Sequence, residues 1–188
     1  MKGAIDTGRQ KPNTGRTNQK LYFARLQQDQ LARVLKDKSA FAWEAEALSC
    51  REAAILHLHG AYVAFLQELV RFYKLSGVLL SSEDVRLAMA SRGQVAPEIA
   101  IFQQLEQRAD SWLAALLRAH HLCLIAPDTL PADAPADEAD TAALGRAISL
   151  VRVASDEPLS APDLEAIASW QRELTAIIRE FRSERVEY

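Results

Sequence analysis

The sequence is poor in the residues that usually announce chemistry. It has two cysteines in 188 residues, Cys50 and Cys123, and neither sits at regular disulfide spacing. Both fall in apolar helical patterns and read as buried reduced thiols, since free cysteine is among the most buried residue types. No glycine-rich phosphate loop, Walker sequence or dinucleotide fingerprint occurs. No Glu-x-x-His motif occurs, which argues against a ferritin-like di-iron bundle. The N-terminus (MKGAIDTGRQKPNTGR) lacks the apolar stretch of a secretory signal. No charge-free run of about 18 apolar residues is present, so a membrane-spanning helix is not expected. A basic excess is also missing. The net charge is −3, which disfavours a general nucleic-acid binder. A cytoplasmic location follows as the simplest expectation.

What is present is helix-forming sequence. Phe41–Leu75 contains no proline and one glycine, and from Ala53 to Leu66 only His57, His59 and Gly60 interrupt its apolar character. A helix apolar nearly all round is buried on several sides, so this stretch is expected to be the central helix of an all-α domain. Ser39 is its expected cap. Gly60 marks either a close approach or a kink, and Gly77 supplies the terminating residue.

Around this segment the chain reads as one domain. Residues 1–16 form a flexible basic tail. A first amphipathic helix runs from about Asn18 to Lys36, capped by Thr17. Ser81-Ser82-Glu83-Asp84 opens a short helix to about Ser91, its acids suiting the positive helix end. Pro97 starts a third long helix on which Phe102, Leu105, Ala109, Trp112, Leu116, Ala119 and Cys123 follow an unbroken 3-4 spacing. Residues 126–140 (APDTLPADAPADEAD) form an acidic, proline-rich loop. Residues 141–154 favour a helix, although ISLVRV would also suit a strand. Ser160-Ala-Pro-Asp opens a last helix carrying Ile167, Trp170, Leu174, Ile177 and Phe181. The remainder, RSERVEY, is charged and expected to fray. The expected fold is an antiparallel bundle of about four long helices plus one or two short ones, over residues 17–183.

Few residues are candidates for chemistry. His57 and His59 lie about 200° apart on a continuous helix and cannot chelate one metal. His120 and His121 suit a helix C-terminus. No metal site and no cofactor are expected. Arg51-Glu-Ala-Ala-Ile-Leu-His57 resembles the motif of HEPN-domain ribonucleases, in which an arginine and a histidine act on an RNA phosphodiester, usually across a dimer interface. That resemblance covers seven residues and implies Arg51 and His57 as catalytic candidates. It departs from the family at Glu52, where an Asn, Asp or His is common.

The segments TGRTNQKLYFARLQ (14–27) and REAAILHLHGAYVAFLQELVRFYKL (51–75) are similar to an uncharacterised family of small bacterial all-helical proteins of unknown function. Asn18, Gln19, Lys20 and Tyr22, in the most distinctive string of this similarity, are candidate residues for a small-molecule or partner site. The leading expectation is a non-enzymatic bundle acting through protein–protein contacts, with a homodimer as one form. The hydrophobic surplus of the central helix and of the 102–123 seam supports it. A HEPN-like ribonuclease is the first alternative. A binder of small apolar ligands, using Phe65, Trp112 and Trp170, is the second.

Overall fold

Six helices and no strands are found among residues 14–124 and 161–184, which the computed structural model describes. They are α1 (Gly15–Lys36), α2 (Trp43–Phe72), α3 (Ser82–Ala90), α4 (Pro97–Gln107), α5 (Trp112–Leu122) and α6 (Ala161–Glu184). The tail to residue 13, the acidic segment 126–140, the expected helix over 141–154 and the Ser160 cap lie outside the described residues.

Helix α2 is the centre, as its all-round apolar pattern requires. It packs against α1, α3, α5 and α6. Ile55, Leu58, Tyr62, Phe65, Leu66 and Leu69 are buried on it, with Val85 and Met89 of α3, Ile99 and Phe102 of α4, Leu113 and Leu116 of α5, and Ile167, Leu174, Ile178 and Phe181 of α6. A second, smaller cluster joins Leu31 and Val34 of α1 to Ala47 and Cys50 of α2. Among the described residues α2 alone is long and apolar enough to cross a membrane, and 56% of its most apolar window is buried inside the protein.

The expected third long helix is two helices. Residues 108–111 break it, although they contain neither glycine nor proline. Ser111 makes the break stable from both sides. Its Oγ accepts from the Ala114 amide at 3.0 Å, capping α5, and donates to the Leu105 carbonyl at the end of α4. Arg118 donates to the freed Ala109 carbonyl at 3.0 Å. The turn lets α4 and α5 pack on each other. It also changes the buried set: Ala109 is exposed and Trp112 half-buried, while Leu113 is fully buried. The described residues therefore hold three long helices.

Three expected caps are corrected. Thr17 lies inside α1, which begins at Gly15, and its side chain is fully buried. The α2 N-cap is Ala42, not Ser39. At the other end of α2, Lys74 takes the left-handed conformation (φ 54°), so the reversal falls three residues before Gly77. The Leu75 amide reaches the Val70 carbonyl at 2.8 Å and the Lys74 amide reaches that of Arg71 at 3.1 Å, a Schellman arrangement. The expected cap of α3 is present, with Ser81 and Asp84 forming a reciprocal capping box.

Gly60 is a close-contact point. A methyl group there would lie 3.3 Å from Cδ and Cε of Lys20. The aliphatic stem of Lys20 thus runs over the glycine, and α2 continues as an unbroken α-helix past it.

Candidate functional site

The residues that α1 and α6 bring together form an open groove of about 420 Å³. Asn18, Leu21, Tyr22 and Arg25 line it from α1, spaced so that they share one helix face. Gln171, Thr175, Ile178, Arg179 and Arg182 line it from α6 on the same principle. Of the four sequence candidates, Asn18 and Tyr22 lie in this groove. Gln19 accepts a hydrogen bond from Arg16 at 2.7 Å, and Lys20 faces Gly60 with its Nζ 3.5 Å from His57 Nδ1.

The floor of the groove is tied to the core through Glu68, whose side chain is 4% exposed. A buried carboxylate is tolerable only when its oxygens are satisfied by donors. Thr17 donates its hydroxyl to Oε1. Arg182 donates from Nη2 to Oε1 at 2.8 Å and from Nε to Oε2 at 3.3 Å, and its Nη1 reaches Asn18 Oδ1 at 2.9 Å. One residue of α2 therefore joins α1 to α6. Beside it, Gln28 Nε2 donates to Gln171 Oε1 at 2.5 Å, and Gln171 Nε2 donates to the Leu21 carbonyl at 3.2 Å. Sequence reasoning missed Glu68 and placed Arg182 in a fraying tail. The available signal was a lone glutamate in the apolar second half of α2.

A second carboxylate site, half-buried, lies between α2, α3 and α4. Glu106 accepts from the Tyr62 hydroxyl and, at 2.5 Å, from Ser82 Oγ. Burial, followed by the Glu106 charge, raises the Tyr62 pKa, so the phenol stays protonated.

The histidines separate as the helical geometry requires, yet one pair meets across helices. His59 of α2 and His120 of α5 stack with ring centroids 3.5 Å apart and planes 14° from parallel. Burial, and then the nearby His120, lowers the His59 pKa to about 4. Burial, and then His121, lowers that of His120. Face-to-face rings direct their lone pairs in parallel planes and do not converge on one ion. No group of three or more potential metal ligands occurs among the described residues.

Arg51 is 5% exposed. His57 is half-buried, 5.4 Å from the Phe23 ring, with its pKa lowered by burial and then by Lys20. Phosphodiester cleavage needs both groups in an accessible cleft, and the burial of Arg51 removes one of them from solvent. Phe65 and Trp170 are buried and Trp112 packs half-buried against the same core. Phe65 stacks on Phe181 and meets Phe102 edge-on, so these rings fill the interior. Burial raises the pKa of both thiols, that of Cys123 to about 11, which makes them inert at neutral pH.

A family model described as a family of unknown function, DUF6586, matches residues 12–188. The chain belongs to DUF6586. The match takes in the α1/α6 groove, the Glu68 site and the stacked histidines alike. Membership assigns no activity, because the family's function is unknown. No curated protein and no solved structure is matched.

Proposed function

We propose that this DUF6586 protein is a non-enzymatic bundle of antiparallel helices that acts through protein–protein contacts in the bacterial cytoplasm, with a second copy of itself as the partner. The observation that carries the reading is the set of exposed large aliphatic side chains on and around α3. Val78 is 76% exposed, Leu80 57%, Leu87 53% and Val95 84%. These residues lie on α3 and on the connections either side of it, and Arg92 holds the two connections together by donating to the Lys74 carbonyl at 2.8 Å. Gln67 fixes the same end by donating to the Leu79 carbonyl. Large aliphatic side chains presented by a pinned surface favour association. The hydrophobic surplus expected of α2 and of residues 102–123 carries less of this reading, because most of it is spent inside the core. The burial of Arg51 weighs against the ribonuclease alternative.

Sedimentation velocity over a range of concentrations tests the proposal. The wild type is expected to dimerise reversibly. Val78→Asp combined with Leu80→Asp is expected to leave a folded monomer with an unchanged far-UV spectrum. A wild type that stays monomeric at the highest concentration overturns the reading.

A further inference from the structure

The geometry points to a second kind of site, independent of the apolar end: the α1/α6 groove is a binding site for a small phosphate monoester. Three arginines line it, Arg25 from α1 and Arg179 and Arg182 from α6, and no carboxylate is among its lining residues. Arg182 is already committed. Its charge is matched by Glu68 and its Nη1 is held by Asn18. It shapes the floor and keeps the Asn18 side chain oriented. Arg25 is differently placed. It pairs only loosely with Asp29, at 3.9 Å, and both side chains are largely exposed at 72% and 60%. Such a pair contributes little and exchanges readily for a better acceptor. Arg179 is exposed on the opposite wall.

Two guanidinium groups from two helices, facing one open groove, match a dianion better than a monoanion. A phosphate monoester is close to doubly charged at neutral pH and offers three acceptor oxygens to the planar arginine forks. The rest of the groove suits the organic part of such a molecule. Tyr22 is 59% exposed, and the half-buried Leu21 beside it supplies apolar surface. Thr175 adds a hydroxyl. A volume of about 420 Å³ is within the range of small-molecule sites.

Titration calorimetry at low salt, with adenosine 5′-monophosphate and with inorganic phosphate as probes, tests the site. Saturable binding of the nucleotide is expected, weakening as salt is added. Arg25→Gln and Arg179→Gln are each expected to weaken it about tenfold, as loss of a charge-assisted hydrogen bond does. Both positions are exposed, so the variants keep the wild-type far-UV spectrum. Tyr22→Ala is expected to weaken the nucleotide and leave inorganic phosphate unchanged, which separates contact with the organic part from capture of the anion. Absence of saturable binding by the nucleotide overturns the proposal. So does wild-type affinity in the Arg25→Gln/Arg179→Gln double variant, or a Tyr22→Ala variant that binds the nucleotide as the wild type does.

Discussion

Replacing Glu68 by Gln tests whether the carboxylate that joins three helices holds the fold together. The substitution keeps the shape of the side chain and removes its charge. Glu68 is 4% exposed on its side chain, and Arg182 is 25% exposed. The amide can still accept from either Thr17 or Arg182, but it places an NH2 group where an acceptor oxygen stood. Breaking a fully buried ion pair costs about 3–5 kcal/mol. Water reaches part of Arg182 and recovers some of that, so a loss of about 2–3 kcal/mol is expected here. For a chain of this size that corresponds to a fall in Tm of roughly 4–12 °C. Urea unfolding followed by circular dichroism measures it, with the m-value checking that the unfolded state has not changed. A double-mutant cycle with Arg182→Met and Glu68→Leu isolates the pair. The double variant, with both charges gone, is expected to be more stable than either single one. The reasoning is refuted if Glu68→Gln lies within about 0.5 kcal/mol of the wild type, the range of an ordinary surface substitution.

Three further outcomes follow from particular contacts. Ser111→Ala should cost about 1–2 kcal/mol, because one side chain caps α5 and also satisfies the last turn of α4; thermal unfolding reads it, and an unchanged Tm refutes the double role. Gly60→Ala should stabilise by up to about 1 kcal/mol, since alanine favours helix and the neighbour at 3.3 Å is the flexible end of Lys20, which can move aside; a lower Tm would mean that the stem cannot shift. The third concerns pH. The folded pKa of His59, about 4, lies below its ordinary value of 6.5, so folding favours the neutral ring. Its contribution is fully present above pH 6.5 and is lost as the pH falls from 6.5 towards 4. A shift of this size is equivalent to about 3 kcal/mol, and partial exposure of the ring reduces the expected loss to about 1–2 kcal/mol. His59→Phe keeps an aromatic ring against His120 and should make the stability profile shallower over that interval, the lowered pKa values of His57 and His120 leaving a residual slope. A slope equal to that of the wild type assigns the effect elsewhere.

Helix existence and helix type were written locally. The apolar face of α2, the capping box at Ser81 and the 3-4 spacing of α6 each involve residues within a turn or two of one another, so chain order alone carried them. Strings of α1 and α2, which the family model takes in with the rest of residues 12–188, made similarity to an uncharacterised family equally legible. The break between α4 and α5 was not. The apolar spacing runs through residues 108–111 without a change of period, while the break is held by Ser111 bridging the Leu105 carbonyl and the Ala114 amide and by Arg118 on the Ala109 carbonyl. Pairings over long sequence distances were also hidden. Thr17 is 51 residues from Glu68, and Arg182 is 114 residues beyond it. Read locally, one looked like a cap and the other like part of a frayed end. Helical periodicity correctly set His59 and His57 on different faces, but only the packing of α5 on α2 stacks His59 on His120. The groove shows the same division. The spacings of Asn18, Leu21, Tyr22 and Arg25, and of Gln171, Thr175, Ile178, Arg179 and Arg182, each define one helix face. That the two faces meet depends on how α1 and α6 dock, and local sequence does not contain that.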